Sequence, residues 1–160
     1  MRVLGIDPGY GLVGWSIVEF KGNRFILHDV GVIETSPKDE YCDRLAEVYD
    51  DMCELVEQFK PDIAGIEQIF FQNNAKTAVD VAQARGVILL ALTKGGVKCL
   101  HMTPPQVKTA VTGYGKSDKA AVQEAVKVML GLKERIQPDD AADSVAVAIS
   151  ALSLYESRVR

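Results

Sequence analysis

Cysteine and histidine are scarce in this chain, and their scarcity excludes several kinds of site. The 160 residues include 3 cysteines and 2 histidines. Cys42, Cys53 and Cys99 are widely spaced and form no CxxC pair, which suits neither a disulfide framework nor a zinc site. His28 and His101 stand alone, without a serine or cysteine pattern that indicates a nucleophile and its base. We therefore expect reduced cysteines and chemistry that depends on neither thiols nor imidazole.

Long apolar runs are also missing. No stretch approaches the roughly 20 apolar residues of a membrane-spanning helix, and the apolar run after Met1 is too short for a signal peptide. Hydrophobic residues make up 48% of the chain and charged residues 25%, which is ordinary for a globular protein with a real core. We predict a single domain over residues 1–160, located in the cytoplasm and without membrane contact.

A basic excess is absent as well. The formal net charge is −4, whereas proteins that bind phosphate backbones usually carry more lysine and arginine than acid. Much of the negative charge lies in residues 38–57, and several lysines follow later with few acids between them. These are Lys94, Lys98, Lys108, Lys116, Lys119 and Lys127. A basic face therefore remains compatible with the acidic total.

Apolar periodicity and turn residues predict an α/β fold with a mixed five-stranded sheet flanked by helices. Strands are predicted over residues 3–7, 14–19 and 24–35, as an antiparallel meander, and over 63–67 and 97–102. Helices are predicted over residues 38–59, 74–94 and 104–112, from a cap at Ser117 to Leu130, and from after Pro138 to about Tyr155. The alternation of strands and helices is typical of one mixed α/β layer arrangement.

Carboxylates stand at two strand ends and on one helix face. Asp7 and Glu67 each close a short apolar strand, a position that holds functional groups in open α/β sheets, although either is equally compatible with a simple turn or surface residue. Asp140 and Asp143 are three residues apart in the first turn of the last helix, where acids also favour the helix dipole without any function. Small residues between them would let another backbone approach closely. The set of four suggests one converging site.

Four converging carboxylates need cations to stay ionised together. Ligands that are all oxygen select hard ions such as Mg²⁺ or Mn²⁺. Two ions roughly 4 Å apart would activate a water for in-line attack on phosphorus and stabilise the leaving 3′ oxygen. The acids therefore predict phosphodiester hydrolysis that depends on Mg²⁺, with two ions per subunit and Mn²⁺ as a substitute.

Aromatic and basic residues near these acids suggest contacts with nucleic acid. Phe70 follows Glu67 closely and is placed to stack on an unpaired base, although such residues usually lie in the core. Lys108 and Lys119 flank the turn at residues 113–115 and suit a phosphate backbone, although a basic turn is often only a solvated surface.

Four motifs in order along the chain closely resemble the RuvC family of crossover junction endodeoxyribonucleases. The resemblance covers nearly the whole chain, and its motifs are Gly5-Ile6-Asp7-Pro8-Gly9, Ile66-Glu67-Gln68-Ile69-Phe70, Gln83-Ala84-Arg85-Gly86 and Asp140-Ala141-Ala142-Asp143-Ser144. It implies an RNase H-like fold, a homodimer and resolution of Holliday junctions in DNA recombination and repair. The implied cut is a pair of symmetric nicks that leave a 5′-phosphate and a 3′-hydroxyl.

The resemblance also implies residue roles and partners. Asp7, Glu67, Asp140 and Asp143 match the family's metal-binding catalytic acids. Phe70 matches its aromatic residue near the crossover, and Lys108 and Lys119 match its DNA-contacting lysines. The implied partners are four-way junction DNA and the branch-migration proteins RuvA and RuvB. Ala78, Ala82 and Gly86 offer a small-residue face for packing against a second copy or within one subunit.

Three other functions share some of these features. The turn after Asp7 is similar to the first phosphate loop of actin-like and sugar-kinase ATPases, but no second glycine-rich loop follows a later strand. A non-catalytic junction-binding protein is opposed by the acids, since a pure binder of a polyanion would gain by losing them. A nuclease with an RNA or another substrate on the same fold is the third alternative.

Overall fold

A computed structural model describes residues 1–9, 11–68 and 75–159, and its elements alternate between strands and helices. Three strands come first and two more follow between helices: β1 (Arg2–Asp7), β2 (Leu12–Lys21), β3 (Arg24–Glu34), β4 (Ile63–Glu67) and β5 (Lys98–Met102). The helices are α1 (Tyr41–Phe59), α2 (Ala75–Lys94), α3 (Pro104–Thr112), α4 (Lys119–Leu130) and α5 (Asp139–Val159).

The strands form one mixed sheet in the order β3-β2-β1-β4-β5. The first three strands are antiparallel, and a turn with positive φ at Gly22 and Asn23 joins β2 to β3. β4 runs parallel to β1, and β5 runs parallel to β4. The connection from β1 to β4 contains β2, β3 and α1, whereas α2 alone connects β4 to β5. The predicted five-stranded mixed sheet with an antiparallel meander is therefore confirmed.

Both faces of the sheet are covered by helices, as the alternation of side chains in β1 requires. Val3 belongs to a buried cluster with Val145 and Ile149 of α5, and α3 and α4 contribute to the same cluster. Leu4 and Ile6 belong to a second cluster, which α1 and α2 cover on the opposite face. β1 is thus central and buried on both sides, and only its two ends, Arg2 and Asp7, are partly exposed.

Helix α5 lies unusually close to the sheet, because glycines stand beneath it. A Cβ added at Gly5 of β1 would overlap the carbonyl oxygen of Ser144, and one at Gly14 of β2 would overlap that of Asp140. The side chains that the helix places in this contact are also small, because Ala141 and Ala148 are alanines, and both are completely buried. The backbone of α5 therefore packs directly on the backbone of the sheet, and this contact fixes the position of the first turn of α5.

Some predicted boundaries are wrong. Asp118, rather than Ser117, caps α4, since its Oδ1 accepts a hydrogen bond from Ala121 N at 2.8 Å while Ser117 Oγ donates to Tyr114 O at 2.8 Å. Residues 36–39 form a turn, so α1 begins at Tyr41. α5 continues past the predicted end to Val159.

Cys42, Cys53 and Cys99 are all free, as expected. In the part of the chain that the structure describes, no helix is long and apolar enough to cross a membrane.

Candidate active site

The ends of two neighbouring strands bring Asp7 and Glu67 together. β1 and β4 are parallel, and Ile6 pairs in register with Ile66, so the next residue on each strand is one of the two acids. Both side chains are partly buried. Because parallel strands end at the same edge of a sheet, the two carboxylates share one site, as the sequence predicted.

The first turn of α5 adds Asp140 and Asp143 to this edge. Asp7 pairs with Gly14 across β1 and β2, and Gly14 in turn lies against the carbonyl of Asp140. This chain of contacts places the start of α5 next to the end of β1. Asp143 follows one helical turn later and lines the same cavity as Glu67.

The carboxylates of the site lie close together and are partly shielded from solvent, and both conditions disfavour their charged forms. Burial, then the negative charges of Glu67, Asp143 and Asp140, raises the pKa of Asp7 to about 8 from its ordinary value of 3.8. Burial and the charge of Asp143 raise the pKa of Glu67 to about 7, although Lys108 and Lys119 act in the opposite direction. The site therefore disfavours its own charged state unless a cation is present.

A cavity of about 250 Å³ opens between α3, α4 and α5 at this edge of the sheet. Two lysines line it together with the acids, and its full lining is Glu67, Pro104, Val107, Lys108, Lys119, Val122, Asp143 and Ala146. Thr103 caps α3 through a hydrogen bond from Gln106 N at 3.3 Å, which fixes the helix that carries Lys108. Both predicted DNA-contacting lysines therefore lie at the acids.

Lys119 is engaged with carboxylates in this structure. Its Nζ lies 2.9 Å from Asp143 Oδ2 and 3.3 Å from Asp139 Oδ2. Burial raises the pKa of Asp143, while the hydrogen bond from Lys119 opposes that rise. The ammonium group thus already supplies part of the positive charge that the acids need.

The carboxylate oxygens of the four predicted acids are the kind of ligand that a hard divalent cation prefers, but their arrangement is not that of a complete metal site. In residues 1–9, 11–68 and 75–159, no group of three or more His, Cys, Asp or Glu side chains is placed to hold a metal ion. The four predicted ligands nevertheless interact, because the charges of Glu67, Asp140 and Asp143 all act on Asp7. Ligands that are all oxygen suit Mg²⁺ or Mn²⁺, whose binding favours the ionised acids.

Arg85 supports the backbone of Glu67, a contact that the sequence did not indicate. From α2, its Nε donates to Glu67 O at 3.3 Å and its Nη2 donates to His101 Nδ1 at 2.6 Å. Burial and the nearby charge of Arg85 lower the pKa of His101, so the imidazole accepts this hydrogen bond in its neutral form. Arg85 belongs to the motif at residues 83–86, the only sequence signal for it.

Other predicted site features lie elsewhere or outside the described residues. Phe70 is outside the described residues. Lys94 lies over the ring of Tyr49, 5.9 Å from its centroid, and Lys127 pairs with Glu124 at 3.2 Å, so neither lysine lines the cavity.

Asp139 contacts the site residue Lys119, Gln123 contacts Asp139, and the sequence singled out neither of the two. Gln123 Nε2 donates to Asp139 Oδ1 at 2.9 Å, and Asp139 contacts Lys119. Asp139 stands directly before Asp140, where an acid at a helix start looks like ordinary stabilisation of the helix dipole.

Comparison with known proteins agrees with this geometry. The family described as "Crossover junction endodeoxyribonuclease RuvC" matches residues 3–151. The chain belongs to the RuvC family. A RuvC from Petrotoga mobilis is 47% identical over 148 residues, which cover 92% of this chain and 91% of that protein.

Two solved structures of RuvC from Thermus thermophilus are similar over nearly their whole length. One has a TM-score of 0.91 at 32% identity and covers 99% of this chain and 97% of its own. The other, in complex with a Holliday junction substrate, has a TM-score of 0.90 at 30% identity, with 98% and 96% covered. The expected RNase H-like architecture is therefore confirmed.

Proposed function

We propose that this chain is a structure-selective endonuclease that resolves Holliday junctions. Its relatives carry the name crossover junction endodeoxyribonuclease, and a similar RuvC structure contains a Holliday junction substrate. The observation that carries the proposal is the meeting of Glu67 and Asp143 with Lys108 and Lys119 in one cavity. Asp7 lies close enough for the charges of Glu67, Asp143 and Lys119 to act on it. Acids that can hold cations and lysines that can hold phosphates occupy the same edge of the sheet, where a DNA strand would meet both.

The reaction that fits these residues is hydrolysis of a phosphodiester, with Asp7, Glu67, Asp140 and Asp143 as ligands of two Mg²⁺ ions and Mn²⁺ as a substitute. When bound, such ions make an attacking water acidic and stabilise charge on the leaving 3′ oxygen. The chain's own contribution is to hold the carboxylates at strand ends and on a packed helix, so that their positions are set before the substrate arrives. The product is a nick with a 5′-phosphate and a 3′-hydroxyl.

Lys108 and Lys119 supply the positive charge for the substrate strand. Lys108 lies on the capped helix α3, and it acts on Glu67 through its charge. A phosphate between the lysines and the acids would be held near the ions without any contact to a base, so the two lysines bind independently of sequence. Phe70 is proposed to stack at the crossover.

Helix α2 offers a surface on which a homodimer can form. Val79 and Leu90 are exposed to 58% and 52%, and the space beside Gly86 between them is open. The predicted small-residue face is only partly outward, because Ala78 is buried while Ala82 and Gly86 are exposed. A two-fold dimer through this face would present two equivalent sites, which matches paired nicks in a symmetric junction. RuvA and RuvB are the proposed protein partners in recombination and repair.

The catalytic proposal is tested with a labelled four-way junction and a linear duplex, each with Mg²⁺ and with EDTA. The parent should nick the junction at symmetric positions only with Mg²⁺, and Asp7→Asn should bind the junction without cutting it. Asp50→Asn is the matched control, since Asp50 is an exposed acid on α1 away from the cavity. Cleavage by Asp7→Asn at the parent rate would refute the carboxylate mechanism.

The dimer is tested by sedimentation of full-length variants. Leu90→Glu should shift the protein to monomer and abolish paired nicking, because a charge at the centre of an apolar interface is not desolvated easily. Val128→Glu is the control, since Val128 is an exposed apolar residue on α4, 69% exposed and on another element. A Leu90→Glu protein that sediments like the parent would exclude this face as the interface.

A further inference from the structure

Lys119 has two carboxylate partners, and only one of them belongs to the proposed ligand set. The ammonium lies 2.9 Å from Asp143 and 3.3 Å from Asp139, so both acids share it. Asp143 lines the cavity beside Glu67, whereas Asp139 is not part of the cavity lining. The exposed fractions of the two acid side chains, 30% for Asp143 and 51% for Asp139, agree with this difference.

Asp139 is held in place from its other side. Gln123 on α4 is 8% exposed, and its Nε2 donates to Asp139 Oδ1 at 2.9 Å. This leaves Oδ2 of Asp139 directed at Lys119. Hydrogen bonds from Gln123 and Lys119 also lower the pKa of Asp139, so it stays an anion across the neutral range. A buried amide, an anion and the ammonium group therefore form a fixed series that ends at the site.

We propose that Asp139 is a positioning residue for Lys119, which retains the ammonium group when a divalent cation displaces it from Asp143. This inference rests on the proposed function, because it takes Asp143 as a ligand of the cation. Without Asp139, the exchange would leave Lys119 next to a second positive charge and without a carboxylate partner. With Asp139, the ammonium group moves by a small distance and remains beside the cavity, where it can bind a phosphate of the substrate strand.

The expected size of the effect follows from the exposure of the pair. Exposed ion pairs change an equilibrium constant by a factor of about two to five, and both Lys119 and Asp139 are about half exposed. Asp139→Asn should therefore weaken binding of a divalent cation by about two- to fivefold. Lys119→Met should strengthen binding, since it removes the competing cation from Asp143.

A double-mutant cycle separates this role from the simple attraction between Asp139 and a nearby cation. Mn²⁺ binding to the full chain without DNA is measured by the electron paramagnetic resonance signal of free Mn²⁺, for the parent, Asp139→Asn, Lys119→Met and the double variant. If Asp139 acts through Lys119, Asp139→Asn should have little effect in the Lys119→Met background. Asp139→Glu keeps the charge and should restore most of the parent affinity.

A control variant tests for a general effect of charge. Glu124→Gln removes a partly exposed acid from the same helix as Lys119, where it pairs with Lys127 and Arg135. It should change Mn²⁺ affinity by less than about twofold. Equal losses of affinity for Asp139→Asn with and without Lys119 would overturn the inference, and so would parent affinity for Asp139→Asn.

The failure of this inference can be told apart from a failure of the proposed function. If the parent binds no Mn²⁺, or if Asp7→Asn binds Mn²⁺ as tightly as the parent, the metal site itself is refuted and the role of Asp139 with it. If Asp7→Asn removes binding but the cycle shows no coupling, only the role of Asp139 is refuted. Coupling between Asp139 and Lys119 in a chain that binds Mn²⁺ through Asp7 supports both.

Discussion

Replacing Asp7 by Asn should stabilise the metal-free protein at alkaline pH, although it removes a residue at the centre of the proposed site. Burial and the charges of Glu67, Asp143 and Asp140 raise the pKa of Asp7 from 3.8 to about 8. A carboxylate with a raised pKa contributes stability that is complete below its unfolded pKa and is lost as the pH rises through the folded pKa. Asparagine keeps the size of the side chain and cannot ionise, so the variant avoids this loss.

The magnitude can be worked out from the same shift. Between the two pKa values the folded state binds one proton more than the unfolded state, so stability falls by about 1.4 kcal/mol per pH unit. Over the roughly four units from 3.8 to about 8, the loss reaches on the order of 5 kcal/mol. Asp7 keeps partial contact with solvent, so this loss is an upper limit. We expect the free energy of unfolding of Asp7→Asn to be about 1–3 kcal/mol higher than that of the parent at pH 9 in EDTA.

Urea unfolding at pH 4, 6, 8 and 9, in EDTA and in Mg²⁺, measures the effect. The two proteins should have equal stability at the lowest pH and diverge as the pH rises. Mg²⁺ at a hundred times its dissociation constant should stabilise the parent by about 2.7 kcal/mol and leave Asp7→Asn unchanged. Equal stability of the two proteins in EDTA at every pH would refute the account of Asp7 as a desolvated acid among like charges.

Gly14→Ala should lower the free energy of unfolding by about 1–3 kcal/mol in urea, because the added Cβ overlaps the Asp140 carbonyl, and unchanged stability would contradict this close contact. Arg85→Ala should lower kcat at nearly constant junction affinity, because it frees the carbonyl of Glu67. Equal losses in kcat and affinity would contradict that role. Lys108→Ala should weaken junction binding in EDTA and reduce the salt dependence of the binding constant by about one phosphate contact, and an unchanged salt slope would argue against a phosphate partner.

Most of the fold could be predicted because its signals are local. The turn at Gly22 and Asn23 separates two apolar runs, and Thr103 before two prolines gives the start of α3. The errors come from local signals that are nearly equal. Ser117 and Asp118 are both good N-caps, and the choice between them depends on which side chain accepts from the first turn of α4 and which donates back to Tyr114. Nothing after residue 155 marks a helix end, so the continuation of α5 to Val159 was missed.

The candidate site could be predicted only in part, for a similar reason. Asp7 and Glu67 stand at strand ends, and the order of the strands then decides that they are neighbours. The contacts of Asp139 and Arg85 depend on partners far away in the sequence, such as Lys119 for the one and the Glu67 carbonyl for the other. A carboxylate at a helix start and an arginine on a helix give no local sign of such partners.

The close packing of α5 on the sheet explains why the carboxylates of the site repel one another and why a cation would stabilise them. Glycines at positions 5 and 14 remove the layer of side chains that would separate helix from sheet. The first turn of α5 therefore brings its acids to the strand ends, where burial and repulsion raise the pKa of Asp7. Lys119 relieves this only in part, since one ammonium group faces several carboxylates and is shared with Asp139. A site built in this way is less stable when charged and empty than when a divalent cation completes it, and affinity for the cation follows from that difference.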